Sequence, residues 1–307
     1  MVKGSRMRKI SYGVIFLGLI VVAALTLGVP LGGQWPTRLI VWQLRLPRLL
    51  FALLGGAMIA VSAVIFQTTL RQRYLDGSML GLASGSELGI ALWTLCWPKA
   101  HTYRVFLGAG LAILLLWLLR QRILKNMAMS TVLPLAGLGM AMFLNAGTSL
   151  LTNQQGLLGQ SLANVTITDA WSLGIVALIG VLMIQTDQAQ LTFFALPQWH
   201  VAQLGVNEQR LSWFWQVVAA GYLGAVTAVL GTIFFVGLVL AQVVVRWWGG
   251  NAQARLLPTA LIGAVMLSVS DFFAHSLRYP VELPTGAMFM FMTAPFLMFI
   301  LWGYHAD

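Results

Sequence analysis

Two carboxylates, Glu87 and Asp271, fall inside otherwise apolar stretches of this 307-residue chain, and they have the most direct claim to chemistry. If those stretches cross a bilayer, a charge at its centre costs about 2.5–3.5 kcal/mol even on the lenient insertion scale, so each carboxylate must face protein or water. Such groups can relay a proton or an ion. The other polar residues at comparable depth are few, chiefly Gln67, Ser84, Ser86 and Asn145. Glu87 therefore reads either as a hydrogen-bonded helix contact or as a group facing a cavity, and Asp271 rather as a structural contact. Met140 and Met142, and further on Met288, Met290, Met292 and Met298, form two methionine-rich stretches. Flexible thioethers can line a passage for a bulky, partly aromatic ligand, or simply fill core and lipid-facing positions.

Other chemistries lack their residues. There is no Gly-x-x-x-x-Gly-Lys-Ser/Thr phosphate loop, so any ATP that drives this protein must be split on another subunit. No His-Glu-x-x-His pattern, paired-carboxylate site or Ser-His-Asp constellation is apparent. His101, His200, His275 and His305 all fall in loops or at the ends of apolar stretches, and the single Cys96 excludes an intramolecular disulfide. We expect no catalytic site, no resident metal and no cofactor.

The elements that must position these residues are membrane helices. With 59% hydrophobic and 8% charged residues, the chain cannot wet the outside of a soluble domain of this length. The pattern predicts an all-α polytopic membrane protein, a single membrane unit over residues 1–307. Its ten spans cover 10–29, 47–69, 77–97, 104–119, 128–151, 170–186, 211–229, 231–246, 256–275 and 284–303. The net charge of +10 reads as a topology signal rather than a nucleic-acid footprint, because the basic residues sit singly or in pairs between spans. With the N-terminus in the cytoplasm, Lys3, Arg6, Arg8, Lys9, Arg71, Arg73, Arg120, Arg122, Lys125, Arg210, Arg246 and Arg255 lie inside. Arg38, Arg45, Arg48, Lys99, Arg104 and Arg278 lie outside. Both termini are thus expected in the cytoplasm. The first apolar run is read as an uncleaved span, since Thr26 to Pro30 offers no small-x-small cleavage site.

Glycines spread through the spans, among them Gly55-Gly56 with Ala60, Gly137 with Gly139 and Gly221 with Gly224, predict close helix crossings. Three connections exceed a tight turn: 30–46 and 152–169 outside, and 187–210 inside. The last contains Leu196-Pro197-Gln198-Trp199-His200-Val201-Ala202-Gln203-Leu204-Gly205, which can form two short helices joined at Pro197 or ended at Gly205. A surface-lying pair there suits a cytoplasmic partner.

Three stretches together resemble the FecCD-type permeases of ABC importers. Arg45-Leu46-Pro47-Arg48, followed by Gly55-Gly56-Ala57 and Gln67, is similar to the Arg-Leu-Pro-Arg opening of that family's second span. Gly81-Leu82-Ala83-Ser84-Gly85-Ser86-Glu87-Leu88-Gly89 resembles its Gly-Leu-Leu-Gly-x-Ser-x-Gly segment. Gly231 to Val239, Arg246, Arg255-Leu256-Leu257-Pro258, Asp271, Glu282-Leu283-Pro284-Thr285-Gly286 and Ala294-Pro295-Phe296 follow in family order, so the likeness covers about residues 43–302.

The resemblance implies a type II permease subunit for iron(III)-siderophores in the bacterial inner membrane, with haem and cobalamin as the family's other cargoes. Its implied partners are a second permease subunit, two cytoplasmic ATPases, a periplasmic binding protein and the surrounding lipid, without nucleic acid. Arg45 and Arg48 match the position that docks the binding protein's glutamates, a task suited to a planar guanidinium. Where the family pattern often carries another arginine this chain has His275, and Arg278 lies three residues further on. Gln198, Trp199, His200, Gln203, Leu204 and Gly205 align with the segment that contacts the ATPase. Met140, Met142, Asn145, Met288 and Met292 are the expected path-lining residues. The family's Asn-Pro-Leu-Ala-x-Pro run is replaced by Arg71-Gln72-Arg73-Tyr74-Leu75-Asp76-Gly77, and its Pro-His pair by Ala241-Gln242, which points to one member of a heterodimeric pair, with a homodimer as the alternative. From the residues alone two other classes stay open: an ion-coupled secondary transporter using Glu87 and Asp271, and a structural assembly factor.

Overall fold

The computed structural model describes residues 2–28, 38–97, 103–121, 132–152, 161–277 and 282–304, and every regular element among them is helical. In chain order these are α1 (Val2–Gly28), α2 (Leu46–Thr69), α3 (Leu82–Cys96), α4 (Arg104–Leu119), α5 (Val132–Thr152) and α6 (Ile167–Asp187). They continue with the short α7 (Gln198–Gln203), then α8 (Glu208–Leu230), α9 (Val236–Trp248), α10 (Ala252–Ser276) and α11 (Thr285–Tyr304). All but α7 fall on the ten apolar stretches predicted from sequence. Five apolar stretches, on α2, α5, α6, α8 and α10, are long enough to cross a bilayer, and the others are shorter apolar helices.

Helices α2 and α8 form the centre. Of their most apolar windows, 78% and 83% are covered by the rest of the chain, against 17% for α5. The core between them holds Phe51, Phe66, Trp215, Tyr222 and Leu223, all essentially inaccessible. Hydrophobicity cannot select these contacts, because lipid tails are as apolar as leucine, so close backbone approach must do so. At the α2–α10 crossing Gly56 faces Gly263, and a Cβ on either would strike the other's carbonyl oxygen. Gly108 of α4 and Gly224 of α8 meet in the same way. Sequence reading found Gly56 and Gly224, but their partners lie 207 and 116 residues away (263 − 56 and 224 − 108).

Two predicted spans open differently: the span at 77–97 begins as a buried 3₁₀ turn, Gly77–Leu80, closed by Gly81 at φ +77° before α3, and the span at 231–246 departs further. Residues 231–246 read as a continuous helix, whereas α9 begins only at Val236 and Gly231–Phe235 is non-helical. Gly231 ends α8 at φ +73°, and Phe235 precedes α9 at φ +63°, in the left-handed region that penalises a side chain. The residues between run buried through the bundle, Thr232 being 1% exposed. Such backbone is tolerated in a membrane only where protein satisfies its polar groups.

The long connections are also ordered in part. Thr166 and Asp169 form a reciprocal capping box at the start of α6. After α6, a 3₁₀ run over Gln188–Ala195 leads through Pro197 into α7, and Gly205 at φ +70° follows. Within Leu196–Gly205 only one short helix forms, and its companion lies before Pro197 as the 3₁₀ run.

Replacing Gly263 with Val puts a side chain against the Gly56 backbone. The cost is expected to exceed the roughly 1–3 kcal/mol of ordinary overpacking, because backbone has nowhere to move. Thermal unfolding of the detergent-purified protein measures it, and an unchanged midpoint would refute the crossing.

Candidate functional site

A groove of about 700 Å³ opens between α5 and the non-helical stretch before α9. Leu138, Met142, Ala146, Leu150, Phe234 and Phe235 give it apolar walls, and Asn145 and Ser149 supply polar atoms. Asn145 is 3% exposed, and its side-chain N–H donates to Thr232 Oγ1 at 3.0 Å. The backbone N–H of Thr232 donates to Glu87 Oε2 at 3.0 Å, and the Thr232 hydroxyl also hydrogen-bonds that carboxylate. Asn145 Oδ1 carries no hydrogen bond among the described residues. One carboxylate thus holds the broken backbone in place, and one amide connects it to the groove wall. Glu87 makes this hydrogen-bonded contact one residue removed from the groove.

The path-lining expectation splits. Met142 and Asn145 line the groove, and Met140 packs half-buried against the core. Met288 and Met292 are half-buried on α11, where Ser270 of α10 donates to Met292 Sδ at 3.5 Å. Helix α11 packs on α9 and α10 whereas α5 packs on α3, so one chain does not bring the two methionine-rich helices to a common wall.

At the end of the bundle carrying Arg48, charges interlock. Arg48 donates from Nε and Nη2 to the two oxygens of Asp271, at 2.7 and 2.9 Å, and from Nη1 to both oxygens of Glu282, at 2.9 and 3.0 Å. Thr285 adds a hydroxyl to Asp271 at 3.1 Å, and Ser161 one to Glu282 at 3.0 Å. Asp271 is therefore a structural contact, as its position suggested, pinning α2, α10 and the start of α11 together. The Asp271 side chain is 3% exposed and that of Glu282 34%, so only the outer half of this network meets solvent. Arg45 donates from Nη1 to the carbonyls of Thr26 and Leu27, closing the C-terminal end of α1. His275 turns inward, its Nδ1 2.7 Å from the Asp271 carbonyl oxygen. Arg278 lies outside the described residues.

At the opposite end, α7 and its turn are exposed. Trp199 stacks on His200 at 3.6 Å between ring centroids, and Gln203, Leu204 and Gly205 follow on the surface; the side chain of Gln198 lies outside the described residues. Arg71 holds this segment from behind. Its Nη1 donates to the Leu196 carbonyl at 2.7 Å, while Nε and Nη2 donate to Glu208 Oε1 at 3.1 and 2.9 Å. Arg71 itself stands at φ +54°, a conformation that long side chains rarely adopt. Nearby, Gln242 donates to Gln67 Oε1 at 3.3 Å and to the Arg73 carbonyl at 2.6 Å, joining α9 to the end of α2.

Sequence reading missed Arg71, Glu208, Glu282 and the pair Arg104–Asp169, in which Arg104 Nε meets Asp169 Oδ1 at 2.8 Å. A signal existed. With only eight acidic residues in the chain, each acid at a span end has few basic partners on the same side of the membrane.

The described residues thus form an all-helical bundle with broken backbone at depth, interlocked charges at one end and an exposed helix-turn at the other. The sequence pattern of the FecCD transport family matches residues 9–303, and the chain belongs to that family. It is accordingly a membrane permease subunit of an ABC transporter. It is 29% identical over 263 residues to the protein named as the heme-iron transport system permease IsdF of Staphylococcus aureus strain Newman, covering 84% of this chain and 81% of that one. Its fold matches a structure described as an inward-facing metal-chelate type ABC transporter with a TM-score of 0.80 at 24% identity, covering 96% and 99% of the two chains. It also matches PsaBC from Streptococcus pneumoniae with a TM-score of 0.61 at 15% identity, covering 83% and 90%.

Glu87→Gln keeps an acceptor for Thr232 and is expected to leave both folding and uptake near wild type. Glu87→Leu strands a buried N–H and should cost about 1–3 kcal/mol. Thermal unfolding and uptake assays check both. Loss of uptake in a stably folded Glu87→Gln protein would instead mark an ionisable relay.

Proposed function

We propose that this chain is the conduit of an importer that carries an iron(III)-siderophore across the bacterial inner membrane, driven by two separate ATPase subunits and fed by a periplasmic binding protein. The observation that carries this reading is the groove beside Asn145. Its volume lies in the range of small-molecule sites, its walls are apolar and aromatic, and its single buried amide retains a free acceptor. A wall of this kind offers shape and weak contacts, so cargo can pass without being trapped. Because α5 is so little covered by its own chain, a second permease subunit completes the passage, and α11 reaches the path through that pairing. Sequence departures at Arg71–Gly77 and Ala241-Gln242 favour a sister subunit over a second copy. Haem is the second reading, favoured by the name of the Staphylococcus aureus relative.

In this proposal both termini are cytoplasmic, as the basic-residue bias implies. The Arg45–Arg48 rim faces the binding protein. Arg48 is already shared between two carboxylates of this chain, so an incoming glutamate meets Arg45 first and competes with Glu282 for the outer edge of Arg48. Helix α7 and Leu204-Gly205 meet the ATPase, and Arg71 ties that contact to α2 and α8.

The full transporter, reconstituted with ATPase and binding protein in proteoliposomes, tests this reading. Ferric siderophore uptake should require ATP, vanish when the ATPase Walker lysine is mutated and persist with an uncoupler. Arg45→Glu should lower stimulation by the binding protein several-fold, and Arg71→Ala should preserve ATP hydrolysis while reducing cargo moved per ATP. ATP-independent, uncoupler-sensitive uptake would overturn the proposal. Stable, active complexes formed by this chain and ATPase alone would overturn the heterodimer.

A further inference from the structure

A hollow of about 610 Å³ lies between the end of α4 and the start of α8, apart from the groove and beside the Arg71–Glu208 pair. It is lined by Arg120 and Arg210, by Trp117 and Trp213, and by the polar side chains of Gln121 and Asn207. Arg120 is held in place by two contacts. Its guanidinium carbon sits 5.1 Å from the Trp213 ring centroid, a cation–π distance, and its Nη2 donates to the Gln209 carbonyl at 2.5 Å. Among the described residues no carboxylate comes within ion-pair distance of Arg120 or Arg210. The neighbouring acid, Glu208, is occupied by Arg71.

The hollow ends an apolar stripe. Phe106, Leu114, Trp117 and Leu118 of α4 are 39–52% exposed and run along one face towards it. Two uncompensated guanidiniums beside two tryptophans, at the end of an apolar helix face, are the groups that recognise an anionic headgroup at a membrane interface. Guanidinium suits phosphate because its planar N–H groups can bond two oxygens at once.

We propose that this hollow binds the phosphate headgroup of an anionic phospholipid in the leaflet on the Arg71 side, with its acyl chains along the exposed face of α4. Lipid, rather than soluble phosphate, is the occupant because the stripe continues the site into the hydrocarbon. The proposal does not depend on which cargo the transporter carries.

Native mass spectrometry of the intact transporter, purified from membranes containing phosphatidylglycerol and phosphatidylethanolamine, tests it. Wild type should retain phosphatidylglycerol, and Arg120→Gln/Arg210→Gln should retain at least five-fold less with no change in phosphatidylethanolamine. If the double variant does not assemble, the exposed Arg210→Gln alone should still lower retention. Equal phosphatidylglycerol in wild type and variant would overturn the proposal. Displacement of the lipid by millimolar inorganic phosphate would also overturn it, assigning the hollow to a free anion.

Discussion

Backbone amides in hydrocarbon have no water to bond, and this requirement governs the protein at every level. It confines the apolar stretches to helix, and it makes any departure from helix depend on a neighbouring side chain. The departure at Gly231–Phe235 is held by Glu87, whose carboxylate accepts the Thr232 N–H. The residue that looked most like a transport group is thus the one that lets the chain leave the helix. Leaving the helix has a functional result, because Phe234 and Phe235 reach the groove only from non-helical backbone.

A second consequence is a division between a rigid centre and a loosely covered flank. Glycine contacts at Gly56–Gly263 and Gly108–Gly224 bring α2, α4, α8 and α10 to backbone contact, and Arg48 fastens α2 to α10 through Asp271. Helix α5 has one such contact, Gly137 against the Met79 carbonyl, and is otherwise little covered: its Met142, Phe143 and Leu150 are 62%, 79% and 83% exposed. A closely packed scaffold beside an uncovered helix suits a conduit, since the moving or partnered surface must be the one not committed to the fold.

The ion-paired charges among the described residues lie towards the helix ends, and Glu87 stands apart from them. Several arginines fasten helices in pairs: Arg104 to Asp169, Arg71 to Glu208, Arg48 to Asp271 and Glu282. With so few acids, some basic residues have no protein carboxylate. Among the described residues, Arg120 and Arg210 pair with no carboxylate.

The ten apolar helices, the position of Pro197 and Gly205 around α7, the family motifs and the presence of buried carboxylates were all legible in the residues, because each depends on local composition or short spacing. Tertiary structure decided how those residues were used. Arg48 and Asp271 are 223 positions apart, and Arg71 and Glu208 are 137, so no periodicity connects them. The break before α9 was hidden for a related reason: Thr232-Ile233-Phe234-Phe235 is apolar enough for a span, and only the distant Glu87 makes the extended form affordable. Apolar patterning is a property of each segment in lipid, whereas pairing between polar groups is settled by which helices touch, and glycine contacts far apart in the chain determine that.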